Sequence, residues 1–261
     1  MRKRRNKSKK LIIFHNSYLL IALCFVLAGY YLNLIVFTSL ILIHELGHYL
    51  IAKCLNFNVE VIIIYPYGGI TKLNDLINRD INEELLIAVS GIIFQIIFYL
   101  LIYFLYKNNI IRDYTFNLYT IYNSRIIFFN LLPIYPLDGS KILQLLLSKY
   151  LNYNLSNKLI IFISLLTIII LLILNIYKLN YSNIMIYLIL LSYIYDLVKG
   201  RKYLYNKFLL ERYLYNINYP KLKIITNYNK MYKNKNHILY TNNKYIEESD
   251  YLKKIFSNKI S

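Results

Sequence analysis

The chain has 261 residues, 57% hydrophobic and only 17% charged, with a formal net charge of +18. The apolar residues come in long runs rather than amphipathic stripes, which excludes an ordinary soluble domain and predicts a polytopic membrane protein. The positive excess sits at the two ends and beside those runs, where anionic lipid headgroups are its natural partner, so nucleic-acid binding is set aside.

The chain opens on a basic run, MRKRRNKSKK, followed by the apolar stretch Ser17–Leu32. No small-residue cleavage site follows Ala28-Gly29-Tyr30-Tyr31, so this stretch reads as an uncleaved first helix rather than a signal peptide. Five further runs approach the roughly 20 apolar residues that cross a hydrocarbon core: Leu34–Leu55, Glu84–Tyr106, Phe116–Leu137, Leu159–Tyr177 and Ile184–Val198. The predicted fold is an all-α polytopic protein of about six transmembrane helices, with a small membrane-associated β-hairpin and a short tail. An even number of spans puts the basic start and the Lys-rich tail on one side. The loops on that side carry Lys72, Arg79, Lys141, Lys149 and Lys158, against Lys107, Arg112 and Lys178 on the other, which places both termini in the cytoplasm. Residues 1–200 form the predicted membrane domain and 201–261 a basic cytoplasmic tail.

The second span contains His44-Glu45-Leu46-Gly47-His48. Residues i and i+4 share a helix face, so the two imidazoles can point at one metal ion while Glu45 reaches the water that the metal activates. The bland alternative is a chance pattern with both histidines packed in a helix. Yet only 4 histidines exist in the chain, and a desolvated polar side chain at bilayer depth costs at least about 2 to 3 kcal/mol. Three together need a common partner. Zinc is the natural ion, and a catalytic zinc takes a third protein ligand from elsewhere.

Between the second and third spans, Val59–Ile64 and Ile70–Lys72 flank Gly68-Gly69 and read as a β-hairpin. It either re-enters the membrane and pairs with substrate as an added strand, or is an ordinary cytoplasmic hairpin. The fourth run ends in Asn130-Leu-Leu-Pro133-Ile-Tyr-Pro136-Leu137-Asp138-Gly139. Two prolines interrupt a helix there, and irregular backbone at such depth survives only where protein or a water-filled cavity satisfies it. Asp138 is the expected third ligand, because a buried carboxylate needs a cation; its alternative role is to cap the helix over residues 140–147. Asn130 lies eight residues earlier, about two helical turns. Its amide would donate to an oxyanion or orient substrate, or else satisfy backbone freed by Pro133 or Pro136. Cys24 and Cys54 offer neither a disulfide framework nor a metal-ligand spacing. The 30 tyrosines reflect a bias of the whole chain.

HELGH in one span and NLLPIYPLDG in another resemble the site-2 protease family of intramembrane zinc metalloproteases. Pro66-Tyr67-Gly68-Gly69, the run Tyr114–Asn123 and Phe208-Leu-Leu-Glu-Arg-Tyr213 are similar to its stage IV sporulation FB-type branch, which processes the inactive precursor of a late sigma factor. The resemblance covers about His15 to Tyr213. It implies one zinc held by His44, His48 and Asp138, a general base at Glu45, and substrate-orienting roles for Asn130 and Pro136, with Gly68 and Gly69 at the substrate edge. It also implies a membrane-associated substrate, a pro-sigma factor, and inhibitory or tethering membrane partners. Two departures stand out. In the third span Ser90-Gly91-Ile92 and Gln95 stand where the family often has Ser-Gly-Pro and an Asn, which should straighten that helix. About 50 residues after Tyr213 are too few for the paired nucleotide-sensing module of some relatives, leaving a small α/β remnant or a partly disordered tail.

Two rival readings remain. A zinc transporter or membrane scaffold would show paired polar sites in related halves, and only one cluster is present. A housekeeping member of the same family, cleaving anti-sigma factors or signal-peptide remnants, differs only in substrate.

Overall fold

The computed structural model describes residues 11–174, 181–215, 217–241 and 244–257. The basic run 1–10 and Lys178, on which the orientation argument partly rests, lie outside the described residues, as does the end of the fifth predicted span. The chain is mostly helical and divides into two compact units, one formed by the residues up to Asp75 with Leu86–Phe129, the other by Leu76–Leu85 with the residues from Asn130 onward.

In the first unit, β1 (Ile12–Phe14) leads into α1 (Asn16–Leu27), a helix of 12 residues. It is shorter than the predicted first span because Gly29 adopts φ +79°, a left-handed turn that ends the helix before α2 (Tyr31–Cys54) begins. The 24 residues of α2 rise about 36 Å, more than a hydrocarbon core requires. The hairpin follows as β2 (Val59–Tyr65) and β3 (Gly68–Leu73), paired antiparallel from Tyr65↔Gly68 inward. Its turn is Pro66-Tyr67, two residues earlier than the glycine pair suggests. Pro66 presets the turn, and Gly68, at φ +152°, carries the chain out of it. β1 adds to β2 in parallel, giving the sheet order β1-β2-β3, with β3 at an edge. The short β1 precedes an apolar helix and carries no alternation, so it was not legible as a strand.

The sheet buries one face by its period of two: Ile62 and Ile64 are fully buried with Tyr18 and Ile41 of the adjoining helices. Helix α3 (Ile81–Lys107) runs unbroken through Ser90-Gly91-Ile92, as expected without the family's proline. With α4 (Asp113–Leu131) it encloses Val36, Leu40, Ile102 and Tyr119. Asn33 donates its amide to the Tyr122 hydroxyl at 3.0 Å, pairing two polar groups across α2 and α4.

In the second unit, α5 (Asp138–Tyr150), α6 (Tyr153–Leu174) and α7 (Tyr181–Tyr215) precede a small α/β tail. β4 (Leu222–Ile225), β5 (Asn236–Thr241) and β6 (Lys244–Glu247) form a sheet in that order, followed by α8 (Glu248–Ser257). The fold is therefore not all-α: the tail residues described have a sheet and a helix, and they share a core with Tyr153 of α6. Phe208, Met231, Leu239 and Leu252 are almost fully buried there, and the Tyr153 ring stacks on Phe208 at 4.5 Å. Arg212, itself buried, donates to Glu248 and to the Lys235 carbonyl, and its guanidinium lies 5.0 Å from the Tyr219 ring centre. Glu211 accepts the backbone N–H groups of Ile77 and Asn78 at 2.7 and 3.1 Å, and Glu84 pairs with both Lys141 and Lys233.

Among the described residues α2, α3 and α6 are long and apolar enough to cross a membrane, and α1 is apolar but short. Many large apolar side chains face outward, Leu27, Phe104 and Leu174 among them, as suits contact with hydrocarbon.

Candidate metal centre

His44, Glu45 and His48 occupy the middle of α2 and are 3, 4 and 7% exposed, so none of them is solvated as a surface residue would be. The helix face they share is built to admit them. A Cβ on Gly47 would lie 2.8 Å from the Ser90 carbonyl, so glycine is what lets α3 approach α2. A Cβ on Gly91 would lie 2.4 Å from His48 Nε2 and 2.8 Å from His44 Nε2, which makes Gly91 the clearing in front of both nitrogens.

The ring tautomers follow from their partners. His48 Nδ1 lies 2.7 Å from the Ile87 carbonyl, which can only accept, so Nδ1 carries the proton. Gln95, fully buried, donates its amide to the Asn123 carbonyl at 3.3 Å and to Asn123 Oδ1 at 3.1 Å. That orientation turns Gln95 Oε1 toward His44 Nδ1, 3.1 Å away, so His44 is also protonated on Nδ1. Both Nε2 atoms are thus lone-pair acceptors, and they stand 3.2 Å apart. Two facing lone pairs repel unless a cation lies between them. Nitrogens about 2.0–2.1 Å from a tetrahedral zinc are separated by about 3.3–3.4 Å, so the spacing fits that ion.

Glu45 is held differently. Thr71 on β3 donates its hydroxyl to Glu45 Oε2 at 2.7 Å, and the carboxylate lies against Gly69, where a Cβ would be 2.3 Å from Glu45 Cγ. Gly69 is therefore a strand residue cleared for Glu45, while Gly68 begins the strand; both are half-buried.

Asp138 is the first residue of α5 and half-buried. The capping position is occupied by Leu137, whose side chain makes no capping bond, so Asp138 is not the N-cap that its place before Gly139 suggested. The segment before it leaves helical geometry after Leu131, which removes the two-turn argument aligning Asn130 with Asp138. Asn130 stands one residue before the end of α4, half-buried. Pro136 follows a cis peptide bond. The interrupted backbone is satisfied by Ser164 of α6, which donates to the Pro133 carbonyl at 3.2 Å and accepts the Tyr135 N–H at 3.1 Å. A Cβ on Gly139 would lie 2.1 Å from the Leu131 carbonyl, so this loop folds tightly onto the start of α5. Ser140 is buried and donates to the Leu137 carbonyl at 2.8 Å.

In the first unit His44 and His48 each offer a ring nitrogen to a metal ion, and in the second unit Asp138 offers a carboxylate oxygen. Two imidazoles and a carboxylate are a donor set typical of catalytic zinc. Thr71, Asn123 and Ser164 were not singled out in the sequence. Their only signal is tertiary, a hydroxyl or amide brought opposite a polar partner far along the chain.

The comparisons with known proteins agree with this chemistry. Residues 32–112 and 107–174 match the model of peptidase family M50. Stage IV sporulation protein FB of Bacillus subtilis is 33% identical over 196 residues, covering 74% of this chain and 68% of that protein. A zinc metalloprotease of Methanocaldococcus jannaschii is 35% identical over 131 residues, which is 49% of this chain but only 37% of that protein. The solved site-2 protease from the same archaeon has a similar fold, with a TM-score of 0.56 at 23% identity over 71% of this chain and 90% of that one. With a histidine pair set for zinc inside an apolar helix, and more than half of its length matched by one family, the chain belongs to peptidase family M50, the site-2 protease family of membrane-embedded zinc metalloproteases.

Proposed function

We infer that this protease hydrolyses a peptide bond of a membrane-associated substrate, a pro-sigma factor precursor, during sporulation. The observation that carries the chemistry is the pair of unprotonated Nε2 atoms 3.2 Å apart, each fixed by an acceptor on its Nδ1 side. The substrate class is supported by the 33% identity to a relative whose name places it in sporulation, together with the motifs shared with that branch.

His44 Nε2, His48 Nε2 and a carboxylate oxygen of Asp138 are the proposed metal ligands. When bound, zinc polarises the scissile carbonyl and brings the pKa of its water to about 7. Glu45 takes a proton from the attacking water on a carboxylate oxygen and returns it to the leaving amine nitrogen, so one water is consumed and one new amine and one new carboxylate are released. Asn130 donates its amide to the developing oxyanion, and Pro136 orients the substrate backbone. β3, beginning at Gly68-Gly69 and an edge strand among the described residues, offers its outer backbone groups to an extended substrate. The wider reading has six spans with both termini in the cytoplasm. It assigns residues 1–200 to the protease domain and 201–261 to a basic tail. Anionic lipid meets the charged ends, and inhibitory or tethering membrane proteins act as partners.

The test is co-expression with candidate pro-sigma precursors, comparing the wild-type chain with Glu45→Gln by product mass. Cleavage by the wild type alone supports the proposal; an equal product from both would assign it to another protease.

A further inference from the structure

On the sheet face that packs toward α2, β2 contributes Ile62 and Ile64, both fully buried. Their register partners on β3 are Thr71 and Gly69. Cross-strand partners and residues two apart share one face, so Gly69 and Thr71 look toward the same helix as the two isoleucines. β3 thus replaces two large apolar positions with the smallest residue and a hydroxyl, and both of these meet Glu45. A side chain at 69 would collide with Glu45 Cγ, Cδ and Oε1, whereas Thr71 Oγ1 lies 2.7 Å from Oε2 and 3.4 Å from the Glu45 carbonyl. Valine has the same shape and a higher strand propensity, so packing alone does not call for the hydroxyl at 71.

We propose that Thr71 is a positioning residue for the general base: it ties down one carboxylate oxygen of Glu45, with Gly69 giving the carboxylate room to lie flat on β3. The hydroxyl contacts Glu45 and works through it. It acts by restricting the Glu45 side chain to one rotamer, so that a single oxygen, Oε1, takes the proton. The strand that offers its outer edge is then also the strand that aims the base. This rests on the reading of Glu45 as the general base.

The experiment uses the full chain purified in lipid nanodiscs, zinc-loaded, with a membrane-anchored pro-sigma precursor as probe. Thr71→Val, Thr71→Ser and Glu45→Gln are compared with the wild type for kcat, KM and zinc content. Thr71→Val is expected to lose about 10- to 100-fold in kcat, the usual cost of an outer-shell partner, with KM and zinc content unchanged. Thr71→Ser, which keeps the hydroxyl, is expected to recover most of that loss. Wild-type kcat in Thr71→Val, a loss confined to KM, or a serine variant no better than valine would overturn the assignment while leaving an inactive Glu45→Gln to uphold the base. Full turnover by Glu45→Gln would overturn the base itself, and this inference with it.

Discussion

Gln95→Leu tests the chain of hydrogen bonds behind the metal pair. The amide is fully buried, accepts from His44 Nδ1 at 3.1 Å and donates to Asn123 Oδ1 at 3.1 Å. Leucine fills a similar volume but leaves the His44 N–H without its acceptor and the Asn123 oxygens without that donor. A buried polar group stripped of its partner costs about 1–3 kcal/mol. The His44 ring can relieve its share by flipping or changing tautomer, either of which removes the lone pair from Nε2. At about 1.4 kcal/mol per tenfold, the expected weakening of zinc binding is about 5- to 100-fold, consistent with losses at other outer-shell partners. Competition against a chromophoric chelator measures it directly in the purified chain. An unchanged zinc Kd in a folded Gln95→Leu would refute the argument that this amide sets the tautomer. A similar loss in Asn123→Leu, one step further out and smaller in size, would show that the effect travels through Gln95.

Three further outcomes follow from the geometry. Asp138→Ala should lower zinc retention on dialysis while leaving the α2 pair in place; full retention would mean that another residue supplies the third ligand. Gly91→Ala puts a methyl 2.4 Å from His48 Nε2 and should leave the purified protein zinc-poor, whereas one zinc per chain would show that α3 shifts to make room. The tail should loosen in mild acid. Burial holds His237 below the ordinary histidine value, outweighing its hydrogen bond to Glu248; its Nε2 accepts the Tyr232 N–H, so the neutral ring is the one built in. Burial pushes the Glu248 carboxyl up, but hydrogen bonds from His237 and Arg212 and the Arg212 charge outweigh it and hold it below the usual carboxylate range. The unfolded tail therefore binds more protons than the folded one below about pH 6.5, where histidine ordinarily titrates, and again through the carboxylate range, so stability falls as pH falls. Unfolding of the tail followed by tyrosine fluorescence should show a lower midpoint at about pH 5.5 than at about pH 7.5; an equal or higher midpoint would contradict the sign.

What could be read in the sequence divides along physical lines. HELGH was legible because a fixed helical period and the cost of burying polar groups both act locally, within five residues. Asp138 stood out for the same reason: a charge and two prolines in an apolar run have few inexpensive explanations. Its helix-capping alternative required knowing the backbone at Leu137, which depends on how the loop folds against Ser164 of α6. The hairpin was legible from its β-branched strand and glycines, but its turn was assigned two residues late, because Gly69 is demanded by Glu45 and not by the turn. β1 has only three residues and pairs with a strand some 50 positions away, a contact with no local signature. The tail was left open between fold and disorder: its composition is dominated by Asn, Lys and Tyr, and its order comes from Phe208, Tyr205 and Arg212 on α7. Thr71 illustrates the limit most plainly, since a threonine in an edge strand is unremarkable until α2 is laid against it.

Whether Glu45 is the base of a zinc-dependent protease is decided by Glu45→Gln, purified and measured side by side with the wild type for both zinc content and cleavage of a membrane-anchored substrate. The amide keeps the size of the side chain and leaves the proposed metal ligands in place, but it cannot accept the water's proton. One zinc per chain with cleavage reduced at least about 1,000-fold is the result expected of a lost general base whose metal site is intact. One zinc per chain with wild-type cleavage would contradict the account.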